Sequence, residues 1–224
     1  MREIILNFHG IGEPPTGTER AERRYWLEES FFLSVLDHLS ATRWAAGPAA
    51  RITFDDGNMS DAEIALPALA KRGLTASFFI CAGRIGMPGY LDAAAIHDLS
   101  SGGMSIGSHG VHHRDWRKLD DTELDEEIAG ARRMLEDLGG AAIDEAAIPF
   151  GSYDRRVLAK LRLEGYRRAY TSDGGVVRPD SWLKARNTLD RFWQHKNVVD
   201  ELAARDTLTK RLRRTLACRY KALR

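Results

Sequence analysis

Two clusters in the 224-residue chain hold residue types able to do chemistry. In Ile52-Thr53-Phe54-Asp55-Asp56-Gly57 a short apolar strand ends in adjacent carboxylates and a glycine. Neighbouring anions repel, and a cation resolves this by taking one as a ligand while the other stays free for proton transfer. The second cluster, Ser108-His109-Gly110-Val111-His112-His113, follows the apolar run Met104–Gly107. His109 and His113 lie four residues apart, close enough to hold one ion from a single turn or tight loop. Two imidazoles and one carboxylate form a mixed N/O set suited to Zn²⁺, Co²⁺ or another first-row ion, with positions left open for water and substrate. Taken singly, the clusters also read as a solvated turn and a chance histidine pair. Their joint position at strand ends points to a catalytic metal centre.

These residues resemble the polysaccharide deacetylases, the NodB-homology domain of carbohydrate esterase family 4. The family's first motif, Thr-Phe-Asp-Asp-Gly, is matched without a gap by Thr53 to Gly57. Its second, His-(Ser/Thr)-x-x-His, is matched at His109 and His113, with Gly110 in the Ser/Thr position. Its third, Arg-x-Pro-(Tyr/Phe), aligns with Ala147-Ile148-Pro149-Phe150 and continues towards Tyr153. The similarity runs from about Ile4 to Asn187.

The resemblance implies that Asp55 is the catalytic base and that Asp56, His109 and His113 hold a divalent metal. Zn is the first expectation, with Co, Ni and Mn as alternatives. It also implies hydrolysis of an N-acyl group, usually acetyl on an amino sugar. Water activated by the metal attacks the carbonyl, Asp55 takes its proton, and a protonated group serves the leaving amine. Pro149, Phe150 and Tyr153 are expected at the substrate, and Trp116 as a wall of its groove or as core packing.

Two departures bear on the mechanism. Ala147 stands where many members carry an arginine that orients the base. The late Leu-x-His motif, source of the general acid in many members, is absent from Leu183-Lys184-Ala185-Arg186-Asn187-Thr188-Leu189. Arg186, near the end of the last expected strand, is a candidate to reach the site instead. His9 directly follows the apolar strand Ile4–Phe8 and is the candidate acid, against the plainer reading of a loop histidine bonded to a carbonyl. His112 is the weaker candidate, and His195 falls in a polar stretch that reads as solvated.

The chain alternates short apolar runs with helical patterns. Expected strands are Glu3–Phe8, Arg51–Phe54, Thr75–Cys81, Met104–Gly107, Ala146–Pro149, Arg168–Thr171 and Leu183–Arg186. Expected helices are Trp26–Ser40, Ser60–Arg72, Ala93–Ser101, Asp121–Leu138, Arg155–Glu164 and Val198–Leu223. Such alternation predicts parallel strands with crossover helices in one domain over 1–224. The seven strands suit the distorted (β/α)7 barrel that the resemblance implies. Pro67 should kink its helix or move its start. The motifs then fall at C-terminal strand ends, where barrels place chemistry. The Gly- and Pro-rich loop Ile11–Arg24 should cover substrate.

With 33 basic and 32 acidic residues the net charge is +1, which argues against a nucleic-acid partner. Cys81 and Cys218 suggest no disulfide framework. No leader-like segment precedes the first strand and no apolar run is long enough for a bilayer, so a cytoplasmic protein is expected. Residues 198–224 form a basic amphipathic pattern, with Leu208, Leu212, Leu216, Tyr220 and Leu223 as its apolar stripe. It reads either as a helix packed on the barrel or as a peripheral contact to an anionic membrane. The sequence leaves the oligomeric state open. The leading reading is a metal-dependent N-deacetylase of a polysaccharide or lipid-linked saccharide. A deformylase or other amidase and an inactive carbohydrate-binding relative are its alternatives.

Overall fold

A computed structural model describes residues 2–41, 49–193 and 197–223. The central sheet contains β1 (Glu3–Phe8), β2 (Ala49–Asp56), β3 (Ala76–Ile80), β4 (Ser105–Ser108), β5 (Glu145–Ala147), β6 (Arg168–Thr171), β7 (Leu183–Ala185) and β8 (Asn187–Thr188). Their order is β7-β6-β5-β4-β3-β2-β1-β8, all parallel, and Val176–Val177 adds a short antiparallel pair on β1.

Strands β7 and β8 are one stretch of chain parted by Arg186. Before Arg186 the chain pairs with β6, and after it with β1. The Arg186 N–H donates to Thr171 O at 2.9 Å, and the Leu189 N–H donates to Asn7 O at 2.9 Å. This handover nearly closes the sheet, giving the expected distorted barrel of α/β type.

Strand periodicity sorts the side chains. On β1 and β2, Leu6, Phe8, Ile52 and Phe54 face the helical layer and join the main core. The Phe8 and Phe54 rings stack at 5.3 Å, and those of Phe54 and Phe78 at 4.6 Å. The opposite positions fill the barrel. Ile5, Phe79, Ala147 and Tyr170 make a small separate cluster. Glu3 and Lys184 pair at the N-terminal side, and Asn7, Thr53, Asp55 and Arg186 form a polar layer at the C-terminal side.

Several expected elements differ in detail. Trp26 lies in a two-residue strand, Trp26–Leu27, parallel to Gly10–Ile11, rather than opening a helix. Its indole occupies the space that a Cβ at Gly10 would need, and the helix starts at Glu29. The Ser60–Arg72 pattern becomes a wide turn over Asp61–Ala65 followed by Leu66–Ala70, with Pro67 in the first turn of the second piece. Strand β5 ends at Ala147, and Pro149 opens a short 3-10 turn. The expected helix Val198–Leu223 is two helices, Val198–Arg205 and Leu208–Leu223. Between them lies buried Asp206, which accepts a hydrogen bond from Arg211 at 2.7 Å and pairs with Arg2 and Arg214.

Candidate active site

The C-terminal ends of the strands open into a cavity of about 980 Å³. His9, Asp55, Asp56, His109, His113, Phe150 and Arg186 all line it. The loop after β1 forms one side through Pro15, Thr16, Glu22 and Tyr25. Tyr25 stacks on the His9 ring at 4.8 Å and 19°.

The two adjacent aspartates have different surroundings. Asp55 Oδ1 accepts from Arg186 Nη1 at 2.6 Å, and Oδ2 accepts from Arg186 Nη2 at 2.7 Å and Asn7 Nδ2 at 2.9 Å. Asn7 Oδ1 accepts in turn from Arg186 at 2.8 Å and Thr53 at 2.9 Å. Burial alone would raise the Asp55 carboxyl. The Arg186 charge and hydrogen bonds, with His109 beside it, outweigh that and hold it below the usual carboxylate range.

Asp56 Oδ1, by contrast, is buried with no hydrogen-bond partner. It lies 3.5 Å from His113 Nε2, 3.8 Å from His109 Nε2 and 3.7 Å from Arg84 Nη1. His109 Nδ1 sits 2.8 Å from the Ala147 carbonyl. A carbonyl can only accept, so the proton is on Nδ1 and the Nε2 lone pair is left for another partner. Ligand atoms of Asp56, His109 and His113 all lie within 4.8 Å of one another. Burial lowers the His113 pKa to about 4 against the opposing pull of Asp56, which keeps the ring neutral near pH 7. An orphaned carboxylate oxygen facing two imidazole nitrogens fits a divalent cation.

The backbone is bent where this group is assembled. Among the described residues, the non-glycine positions with positive φ are Asp56 (79°), His113 (54°) and Phe150 (58°). Such conformations cost of order 1–3 kcal/mol each and persist only where surrounding contacts impose them. The loop leading to His113 is held by Glu127, buried in the helical segment after Asp121. Its carboxylate accepts from the Val111 N–H at 3.2 Å, the His112 N–H at 2.9 Å and Trp116 Nε1 at 3.3 Å. Gly110 has φ of 83°, and a Cβ there would lie 2.5 Å from Glu127 Oε2, so the backbone and the packing both favour glycine at this position of the second motif.

Arg186 reaches the site, but both terminal nitrogens are engaged by Asp55, so it positions that carboxylate and is no proton donor. His9 lines the cavity, its Nδ1 buried without a partner. Burial lowers its pKa, with the Asp56 and Asp55 charges opposing. Phe150 is 64% exposed, its ring 4.5 Å from that of His113.

Two expected substrate contacts, Pro149 and Tyr153, fall elsewhere, and Trp116 takes the second of its two expected places. Trp116 is fully buried on Glu127 and belongs to the core. Pro149 is buried and does not line the cavity. Tyr153 is also buried, its hydroxyl donating at 2.9 Å to Asp173, which does line the cavity. His112 is exposed, and His195 falls outside the described residues. Asp61 is fully buried with neither carboxylate oxygen partnered; burial and the nearby Asp56 and Asp55 charges push its pKa well up.

Sequence reasoning passed over Asn7, Arg84 and Glu127. Asn7 carried a signal, a polar residue within an apolar strand and on the same face as His9. Glu127 sits among the acidic residues at the start of its helix, and nothing in the sequence separates it from solvated neighbours.

A sequence profile of the polysaccharide deacetylase family matches residues 45–169, more than half of the chain, and the chain belongs to that family. YxkH of Bacillus subtilis (strain 168), a polysaccharide deacetylase by name, is 26% identical over 134 residues, covering 60% of this chain and 48% of YxkH. The chain thus spans about half the length of that curated relative. In fold it resembles the Streptococcus pyogenes deacetylase PplD, solved in complex with acetate, with a TM-score of 0.77 and 18% identity over 90% of this chain and 98% of that one. IcaB from Ammonifex degensii gives a TM-score of 0.74 and 21% identity over 88% and 95% of the two chains.

Proposed function

We propose that this protein is a metal-dependent hydrolase that removes an N-acetyl group from an amino sugar in a polysaccharide or lipid-linked saccharide. One observation carries the reading. Asp55 is held by Arg186 and Asn7, whereas Asp56, one residue on, keeps a buried oxygen free beside His109 and His113. Family membership supports deacetylation, and the cavity of about 980 Å³ has room for a sugar unit with its neighbours.

Asp56, His109 and His113 would hold the cation, Zn²⁺ by donor type with Co²⁺, Ni²⁺ and Mn²⁺ as alternatives. When bound, it supplies Lewis-acid polarisation of an acyl oxygen and acidifies water.

Asp55 is the base. Arg186 and Asn7 take one acceptor position on Oδ1 and two on Oδ2, leaving one lone pair of Oδ1 for the attacking water's proton. Arg186 fixes the direction of that lone pair. His9 is the acid that delivers a proton to the amine nitrogen as the carbon–nitrogen bond breaks, so that acetate and the free amino sugar leave. Phe150, exposed beside His113, offers an apolar face to a sugar ring.

The test is acetate release from N-acetylglucosamine oligosaccharides and from lipid-linked N-acetylated amino sugars, by zinc-loaded and by chelator-stripped protein. Release by the loaded protein alone is the expected result. Equal release from both preparations would overturn metal dependence. Tight zinc binding without acetate from either substrate class would overturn the deacetylase assignment.

A further inference from the structure

The helix Leu208–Leu223 faces the opposite way from an ordinary surface helix. Such a helix buries its apolar stripe on the core and turns charges to water. Here Leu208, Leu212, Leu216, Tyr220 and Leu223 are 75%, 64%, 66%, 65% and 78% exposed. Their three- and four-residue spacings place them on one side of the helix.

The opposite, polar side is fastened to the barrel. Arg214 Nη2 donates to the Val176 carbonyl at 2.9 Å, and its guanidinium fills the space a Cβ at Gly175 would need. Arg211 bonds the buried Asp206 at 2.7 Å, and Lys221 Nζ bonds Asp173 at 2.5 Å. These contacts set the rotation of the helix and with it the outward direction of the stripe. The expectation that the stripe packs on the barrel is not met.

We propose that this face docks the protein on an anionic lipid surface. Exposed Arg213 and Arg219 flank the stripe. Leucines and a tyrosine entering the acyl boundary beside cations at headgroup level match such a surface in both polarity and charge. A second copy of the chain suits it less, because facing stripes would bring their arginines together. Asp173, the partner of Lys221, also lines the active-site cavity, so the docked helix lies next to the site. A substrate carried on lipid would then reach the cavity from the surface the protein sits on. Docking itself does not depend on the hydrolase reading.

Co-sedimentation with phosphatidylglycerol-containing vesicles and with pure phosphatidylcholine vesicles tests this. The variants are Leu212→Glu/Leu216→Glu and Arg213→Glu/Arg219→Glu, with circular dichroism to confirm folding at these exposed positions. Wild type should bind the anionic vesicles, and either double variant should bind roughly tenfold or more weakly. Binding should also weaken as salt is raised. Failure of wild type to bind anionic vesicles, or equal binding by all three proteins, would overturn the proposal. So would a wild-type dimer in sedimentation velocity that Leu212→Glu/Leu216→Glu dissociates while vesicle binding is unchanged. Acetate release in detergent-free solution is read separately, so failure of docking and failure of the hydrolase reading are distinguishable.

Discussion

Arg186 clasps Asp55 through two parallel hydrogen bonds, of 2.6 and 2.7 Å, with both side chains almost wholly buried. The guanidinium fork matches a carboxylate in a way that a lysine ammonium would not. Beneath it lie the Phe79 and Tyr170 rings, 5.3 and 5.8 Å from Arg186 Cζ. Ala147, which the resemblance aligns with an orienting arginine, is a small member of the same interior cluster. The orienting charge is thus supplied by the residue that also joins the two edges of the barrel.

Removing that charge strands a buried carboxylate. Arg186→Met is expected to destabilise the fold by about 3–5 kcal/mol, as for other broken buried pairs. Adding Asp55→Asn should restore part of the loss, since the stranded charge is then gone. Urea unfolding of the two single variants and the double variant measures the coupling, and strictly additive losses would contradict the pairing.

The same pair sets an acid limb of stability. Asp55 ionises at a lower pH in the folded chain than in the unfolded one. Between those two pKa values the unfolded chain holds more protons, so stability rises with pH there. The contribution is complete above the ordinary carboxylate pKa of about 3.9 and is lost as pH falls towards the folded value. Acid unfolding of Asp55→Asn, compared with wild type, should lack this component.

His9 should show itself in the pH profile. Burial puts its pKa below the ordinary histidine value of about 6.5, so the protonated form declines as pH climbs through that lower range. If it serves as the acid, kcat/KM should have a descending limb there. His9→Gln should remove the limb and lower kcat by roughly 10²–10⁴-fold. An unchanged limb in the variant would assign the acid elsewhere.

Glu127 touches none of the proposed ligand side chains, yet it holds the loop that carries His113. Glu127→Ala is expected to weaken zinc affinity by roughly 10–100-fold, the range seen when supports of metal ligands are removed. Glu127→Gln, which keeps an acceptor oxygen, should recover part of it. Competition titration with a chromophoric chelator reads the affinity directly, independent of activity.

Much of this arrangement is legible in the chain because barrel chemistry lies at strand ends, and the strands are short apolar runs with abrupt polar ends. Asp55, Asp56, His109 and His113 are found that way, as are the seven expected strands. What escapes is long-range. Arg186 is legible as a strand-end residue that reaches the site, but that its fork clasps Asp55 depends on a handover from β7 to β8, which no local pattern marks. Tyr153 is expected at the substrate, and Trp116 either there or in the core, because both neighbour the motifs. Their polar ends are satisfied inside, by Glu127 and Asp173, and their rings are buried. The outward stripe of the last helix has the periodicity of a packed one, and only contacts such as Arg214 to Val176 reveal its direction.

The central claim is that adjacent aspartates divide the work, Asp56 holding the metal and Asp55 moving the proton. Zinc stoichiometry and acetate release, measured together on Asp55→Asn and Asp56→Asn, test it most directly. The expected result is that Asp55→Asn keeps one zinc per chain and releases no acetate, whereas Asp56→Asn binds zinc far more weakly. Full acetate release by Asp55→Asn, or undiminished zinc affinity in Asp56→Asn, would contradict the account.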